Sequence, residues 1–319
     1  MHNINEQDGK FSIAYAGKTP WHKHGQQISE AFDAATALRE GGLDFKVGIQ
    51  PLFLADEREV TAGKATVRED NGKVLGVVGN RYAVCQNEEA FGFFDGVFGK
   101  DKARYEVAGA LGDGERVWML AKLPGEFEVV GQDVVNQYLL LTNSHDGSAP
   151  VTARFTPIRV VCQNTLNAAL SRKASNEIRI VHTGRVANRL EIAGKLLAQA
   201  GVFFNEACDS FRAFAQYQVK AAALTEYVTR AVTDEVALPL EKVSTRSRNV
   251  IERVLELHET GLGQEIAGVR GTLWGAYNAL TEYVDHDKTE SGLDYMLGSG
   301  ARMKQRAFTI ALEMAGGKN

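Results

Sequence analysis

The chain has 319 residues, 44% of them hydrophobic and 24% charged, with a formal net charge of -4 and only 6 prolines. Apolar content of that order over that length can bury a substantial core, which excludes a disordered or low-complexity polypeptide. No apolar run approaches the roughly 18 residues that a membrane-crossing helix needs, and the opening MHNINEQDGK has neither the basic nor the apolar part of a signal peptide. The expected location is therefore cytoplasmic, with no membrane partner.

The predicted elements begin after a loop, TPWHKHG, punctuated by Pro20 and Gly25. Ser29 then offers an N-cap for a helix carrying Ala31, Phe32, Ala35 and Leu38 at helical spacing, stopped by Gly41 and Gly42. FKVGIQPLFLAD and REVTAGKATVRE read as strands, and Asn71-Gly72 is a tight hairpin turn into KVLGVVGNRYAVC. Asn87 is placed to cap the next helix, with Glu88 and Glu89 at the positive end of its dipole. A hairpin turning at Gly112-Asp113-Gly114 follows, its second arm bearing large residues on both faces.

QYLLLTNS and VTARFTPIRVVC flank the turn HDGSAP as a further antiparallel pair. Pro157 lacks a ladder donor, so it calls for a bulge or an edge position. Asn164 is positioned to cap a helix starting at Thr165. From about Val186 the apolar residues recur at three-and-four spacing to the end of the chain. The fold class expected is α+β: a largely antiparallel sheet built from hairpins in the first half, with helices packed on it and forming most of the second half. The expected division is a strand-rich α+β domain over 1–175 and a helical region over 176–319, which one domain can also accommodate.

Charge is unevenly distributed. Residues 1–150 hold 15 Lys/Arg against 22 Asp/Glu, whereas residues 151–319 hold 21 against 18. Between 154 and 195, Arg154, Arg159, Arg172, Lys173, Arg179, Arg185, Arg189 and Lys195 face only Glu177 and Glu191. Arginine suits bidentate phosphate contact, and the helix start at Asn164 adds free backbone amides. Tyr82, Tyr138 and Phe155 are aromatic candidates for base stacking, and Arg302, Lys304 and Arg306 add cations near the C-terminus.

Other chemistries find less in the sequence. Cys85, Cys162 and Cys208 are odd in number and form no CxxC pair, which disfavours a disulfide framework and a zinc site. His22, His24, His145, Asp146 and His182 are the residue types of a hydrolytic metal site, although no spacing links them. Ser144-His145-Asp146 contains triad residue types, but consecutive residues point in different directions, so the segment reads as a turn. There is no Walker A motif, so no nucleotide cofactor is expected.

Taken together, TPWHKHG, VVGNRYAVCQNEEAF, GERVWMLAKLPG, YLLLTNSHDGSAPVTARFTPIRVVCQNTLNAAL, IVHTGRVANRLEIA and GSGARMKQRAFTIALEMA resemble the phage/plasmid-like protein family, whose defining domain has no known function. The resemblance runs from about residue 15 to about 315. It implies a mobile element, on which replication, recombination and counter-defence are common tasks. The element order is also broadly similar to the β-β-β-α core of phage-type single-strand annealing proteins, which assemble as rings or filaments around DNA.

The expected function is accordingly a non-enzymatic, ATP-independent, homo-oligomeric single-stranded-DNA-binding protein, with strand annealing in recombination as its task. Arg154, Arg159, Asn164, Arg172, Lys173, Arg179, Arg185 and Arg189 are the expected nucleic-acid-binding residues. The alternatives are a metal-dependent nuclease or hydrolase and a counter-defence protein that binds a host protein.

Overall fold

The computed structural model of the protein describes residues 5–7, 9–16, 25–28, 33–98, 104–159, 161, 177–183, 200–234, 239–288 and 298–316. The strands are β1 (Glu6–Gln7), β2 (Lys10–Phe11), β3 (Ile13–Ala16), β4 (Gln26–Ile28), β5 (Val47–Phe53), β6 (Glu59–Arg68), β7 (Val74–Gly79), β8 (Arg104–Leu111), β9 (Arg116–Val130), β10 (Asp133–Ser144), β11 (Val151–Arg159) and β12 (Glu177–Ile180). Two helices, α1 (Ala34–Glu40) and α2 (Asn87–Phe98), interrupt them. Five more follow: α3 (Ala200–Gln216), α4 (Ala221–Thr233), α5 (Thr245–Thr260), α6 (Leu273–Glu282) and α7 (Ser299–Met314). The class is α+β, with strands in the first half and helices in the second.

The chain forms two compact units, each assembled from separated segments. One comprises Met1–Pro124, Tyr138–Phe155 and Glu177–Ala200; the other comprises Gly125–Gln137, Thr156–Asn176 and Gly201–Asn319. The boundary expected near residue 175 lies outside the described residues.

Seven strands make one sheet in the order β12-β11-β10-β9-β8-β3-β4. The β3–β8, β8–β9 and β11–β12 pairs are antiparallel and β3–β4 is parallel. Among the described residues β12 pairs with Val151–Arg154, and Pro157 falls outside that register. β5, β6 and β7 form a separate antiparallel sheet whose Asn71-Gly72 turn has Gly72 at φ +73°, where glycine carries no steric penalty. The hairpin at 112–115 forms as expected between β8 and β9, and Val117 to Ala121 are all buried.

Two helix starts differ from the sequence expectation. α1 is capped by Asp33, which accepts from the Thr36 amide at 2.8 Å, four residues past Ser29. α2 is opened by Gln86, whose carbonyl accepts from Ala90 N and whose amide donates to Glu89 Oε2 at 3.2 Å. That back-bond from the third helical residue leaves the Asn87 side chain available for other partners.

The second unit has an aromatic core. Phe211 lies 4.9 Å from Trp274 and 6.2 Å from Tyr277, centroid to centroid, and Phe308 packs edge-on against Phe211 and Phe214. All five rings are fully buried, and truncating one such ring costs about 3–5 kcal/mol. α5 and α6 start on Ser244 and Thr272, whose hydroxyls accept from Ser247 N and Gly275 N. α6 runs into a π-helical turn, Tyr283–Asp287, in which buried Asp285 accepts from the Nζ of Lys304 at 2.6 Å. Lys304 is fully buried, so it adds nothing to a cationic surface.

Candidate functional site

The turn after β10 is wired into the first unit through its histidine, while Gly147 and Ser148 stay exposed. His145 is completely buried, its amide donates to Glu115 O at 2.7 Å, and its carbonyl accepts from Thr66 Oγ1 at 2.7 Å. Its ring meets Phe45 edge-on at 5.9 Å, and the Arg68 guanidinium covers Phe45 at 3.9 Å. Gly76 makes room for the turn: a Cβ there would lie 2.6 Å from Asp146 Cα.

His145 Nε2 is 2.8 Å from Asn87 Oδ1, which also accepts from Asn143 Nδ2 at 3.3 Å. The Asn87 amide donates in turn to Leu43 O at 2.9 Å, which fixes Oδ1 as the acceptor and puts the His145 proton on Nε2. Burial, helped by neighbouring His182 and Arg68, depresses the His145 pKa to about 3 against the pull of Asp146. The ring is therefore neutral over the whole physiological range. Asp146 accepts from Ser144 Oγ, Ser148 Oγ and, at 2.9 Å, Ser148 N. Burial alone would raise its pKa, but those bonds and Arg116, 3.9 Å away, hold it below the usual carboxylate value.

Against this cluster lies an open cleft of about 490 Å³ walled by residues 79–82, 147–150 and 181–183. Volumes of that order suit small-ligand sites. The Ala83 amide donates to His182 O at 2.8 Å, a bond of the isolated antiparallel bridge between Tyr82 and Thr183, and this ties the first and third walls together. The Tyr82 ring stacks on His182 at 4.8 Å, and its hydroxyl donates to Ser144 O at 2.9 Å. Arg81 is exposed in the wall and has no carboxylate partner among the described residues. Arg116 reaches the 147–150 wall, donating to Ser148 Oγ at 3.0 Å.

The arginines singled out by charge pattern fare differently. Arg179, 68% exposed, and Arg154, 20% exposed, both bind Glu177, whose pKa they lower in spite of its burial. Arg179 sits two residues before Val181 of the cleft wall. Arg159 corrects the surface assignment: it is fully buried, because its Nε and Nη2 donate to Asp133 at 2.8 and 2.7 Å. Its Nη1 and Nη2 also donate to Leu262 O at 3.0 Å and Gly263 O at 3.1 Å. Trp274 Nε1 adds a further bond to Asp133 at 2.7 Å, so this guanidinium is committed to the core of the second unit. Asn164, Arg172, Lys173, Arg185 and Arg189 lie outside the described residues.

Of the stacking candidates, Phe155 is core and Tyr138 is buried, its hydroxyl donating to Glu106 at 2.6 Å. Tyr82 alone of the three reaches the cleft. Cys85 and Cys208 are buried thiols pushed up to about 12 by desolvation, which makes them poor nucleophiles at neutral pH. Cys162, His22 and His24 lie outside the described residues. Among the described residues no group of three or more His, Cys, Asp or Glu is placed to hold a metal ion, and no helix is long and apolar enough to cross a membrane.

The sequence model for the Domain of unknown function (DUF932) matches residues 74–312. The chain belongs to the DUF932 family. No curated protein and no solved structure matches it. The DUF932 match begins at β7 and ends within α7, so all three walls of the cleft, His145, His182, Asn87 and Asn143 fall inside the region that defines the family. Within that DUF932 region the sequence pattern does not mark Arg81, Arg116 or Ser148 as site residues, and it marks Asn87 only as a helix cap. The only local hint was the density of polar types in GNRYAVCQNEE, and their partners lie up to about a hundred residues away.

Proposed function

We propose that this DUF932 protein binds single-stranded DNA and that the cleft of its first unit engages the strand. The observation that carries the reading is the exposed Arg81, without a carboxylate partner among the described residues, in the wall of an open cleft that also presents Ser148, His182 and Thr183. Arg179, paired with Glu177, is exposed two residues before Val181 of the cleft wall, and Arg116 reaches the cleft through Ser148. A phosphate would take the guanidinium groups while a base enters beside the Tyr82–His182 pair. No ATP is required, and assembly of several copies, with strand annealing on a mobile element, is the fuller form of the same proposal. The metal-dependent alternative draws no three-donor set from the described residues.

Fluorescence anisotropy with a labelled oligonucleotide, titrated with salt, tests it. Binding should weaken as salt rises, and Arg81→Gln should lower the slope of log K against log salt by about 0.7, the value for one single-strand phosphate contact. No binding at low salt, or a slope unchanged by Arg81→Gln, refutes the assignment. Light scattering of the purified protein with and without the oligonucleotide tests the assembly.

A further inference from the structure

The histidine cluster holds more acceptors than it uses. His182 Nδ1 is 3.3 Å from Ala83 O, and a carbonyl only accepts, so the proton is on Nδ1 and Nε2 is a bare lone pair. The same logic left His145 with its proton on Nε2 and a bare Nδ1. Both bare nitrogens are buried and have no hydrogen-bond partner among the described residues, and Asn143 Oδ1 is a third acceptor in the same condition. Asn143 and His145 share Asn87 Oδ1, and His182, 6% exposed, lines the cleft in front of them. Buried polar atoms in native proteins are nearly always satisfied, so three orphan acceptors in one cluster point to a missing donor.

Resting on the single-strand reading above, we propose that the cleft reads nucleobases by their exocyclic amino group, which donates to His182 Nε2. Cytosine and adenine carry an NH2 group that brings donor hydrogens to this wall. Thymine carries a carbonyl oxygen where cytosine carries its NH2 group, and that oxygen opposes the bare His182 Nε2. The Tyr82–His182 stack fixes the plane of the acceptor ring, and the glycines at 79 and 147 leave the walls low enough for a flat ring to approach. Burial lowers the His182 pKa below its ordinary value, which favours the neutral ring and its acceptor.

The test compares oligo(dC), oligo(dT) and an oligomer of a cytosine analogue lacking the 4-amino group, all of one length, against the full chain by anisotropy. The expected result is affinity for oligo(dC) about tenfold above that for the other two, the discrimination of one good base contact. His182→Phe keeps a ring against Tyr82 but removes the nitrogen, and it should bring the three affinities together while leaving the salt slope unchanged. Equal affinities in the unaltered protein, or an oligo(dC) preference that survives His182→Phe, overturn the inference while single-strand binding stands. Absence of binding to every oligomer at low salt removes both. Because the analogue changes only the ligand, the comparison decides even if the variant fails to fold.

Discussion

His145 makes the first unit sensitive to acid in a calculable way. Its folded pKa of about 3 lies below the ordinary value of 6.5, so between those limits the unfolded chain binds a proton that the folded chain refuses. The stabilisation is complete above pH 6.5 and is lost as the pH falls from there toward 3. At pH 5 the unfolded imidazole is almost fully protonated and the folded one is not, which removes about 2 kcal/mol relative to pH 8. That figure scarcely depends on the folded value, since any pKa well below 5 gives the same result. The assay is denaturant unfolding at pH 8 and pH 5 for the natural protein and for His145→Gln. Glutamine retains an N–H near Nε2 for Asn87 Oδ1 but does not titrate. His182 and His258, also held low by burial, contribute in the same direction in both proteins, so the difference between the two pH dependences isolates His145. A variant whose stability falls between pH 8 and pH 5 by as much as the natural protein's would refute the buried neutral imidazole.

In the second unit, Arg159→Met strands the buried carboxylate of Asp133 with Trp274 as its remaining side-chain donor, and the expected loss is about 3–5 kcal/mol in thermal or denaturant unfolding. The double change Arg159→Met with Asp133→Leu should recover part of that loss, and a single change costing less than 1 kcal/mol would contradict the geometry. Gly263 has φ +76°, and a Cβ there would lie 2.6 Å from Arg159 Nη2, so Gly263→Ala should destabilise by roughly 1–3 kcal/mol, read as a lowered Tm. Glu177→Gln releases the carboxylate hold on Arg154 and Arg179. If these cations serve the strand, oligonucleotide affinity at low salt rises, and an unchanged or weaker affinity counts against their role.

The parts of the fold written in neighbouring residues were legible in the sequence. Asn71-Gly72 and Gly112-Asp113-Gly114 announce their turns because the left-handed backbone they need is a property of the residues themselves. Asn87 misled because a capping residue type at a helix start suits two roles. Its partners Asn143 and His145 are 56 and 58 residues away, and no local pattern encodes that choice. Arg159 misled for a related reason: charge composition registers a cation but not the aspartate folded against it, and Pro157 obscured which face the strand presents. The SHDG segment reads correctly as a turn, yet the sequence cannot show that its histidine points inward. The cleft was invisible for the same physical reason, since its three walls meet only after the sheet has formed.

The interleaving of the two units has a consequence for anyone who would take the chain apart. The aromatic core of the helical unit closes on Asp133, and the carbonyls of Leu262 and Gly263 close on Arg159, yet both of those residues precede position 200. A fragment starting at Gly201 would carry Trp274 without its acceptor and the Leu262 and Gly263 carbonyls without their donor. No single scissor cut yields either unit whole. Shuffling between relatives should therefore tolerate exchange of single surface residues far better than exchange of halves, so the pair is expected to be inherited as one piece.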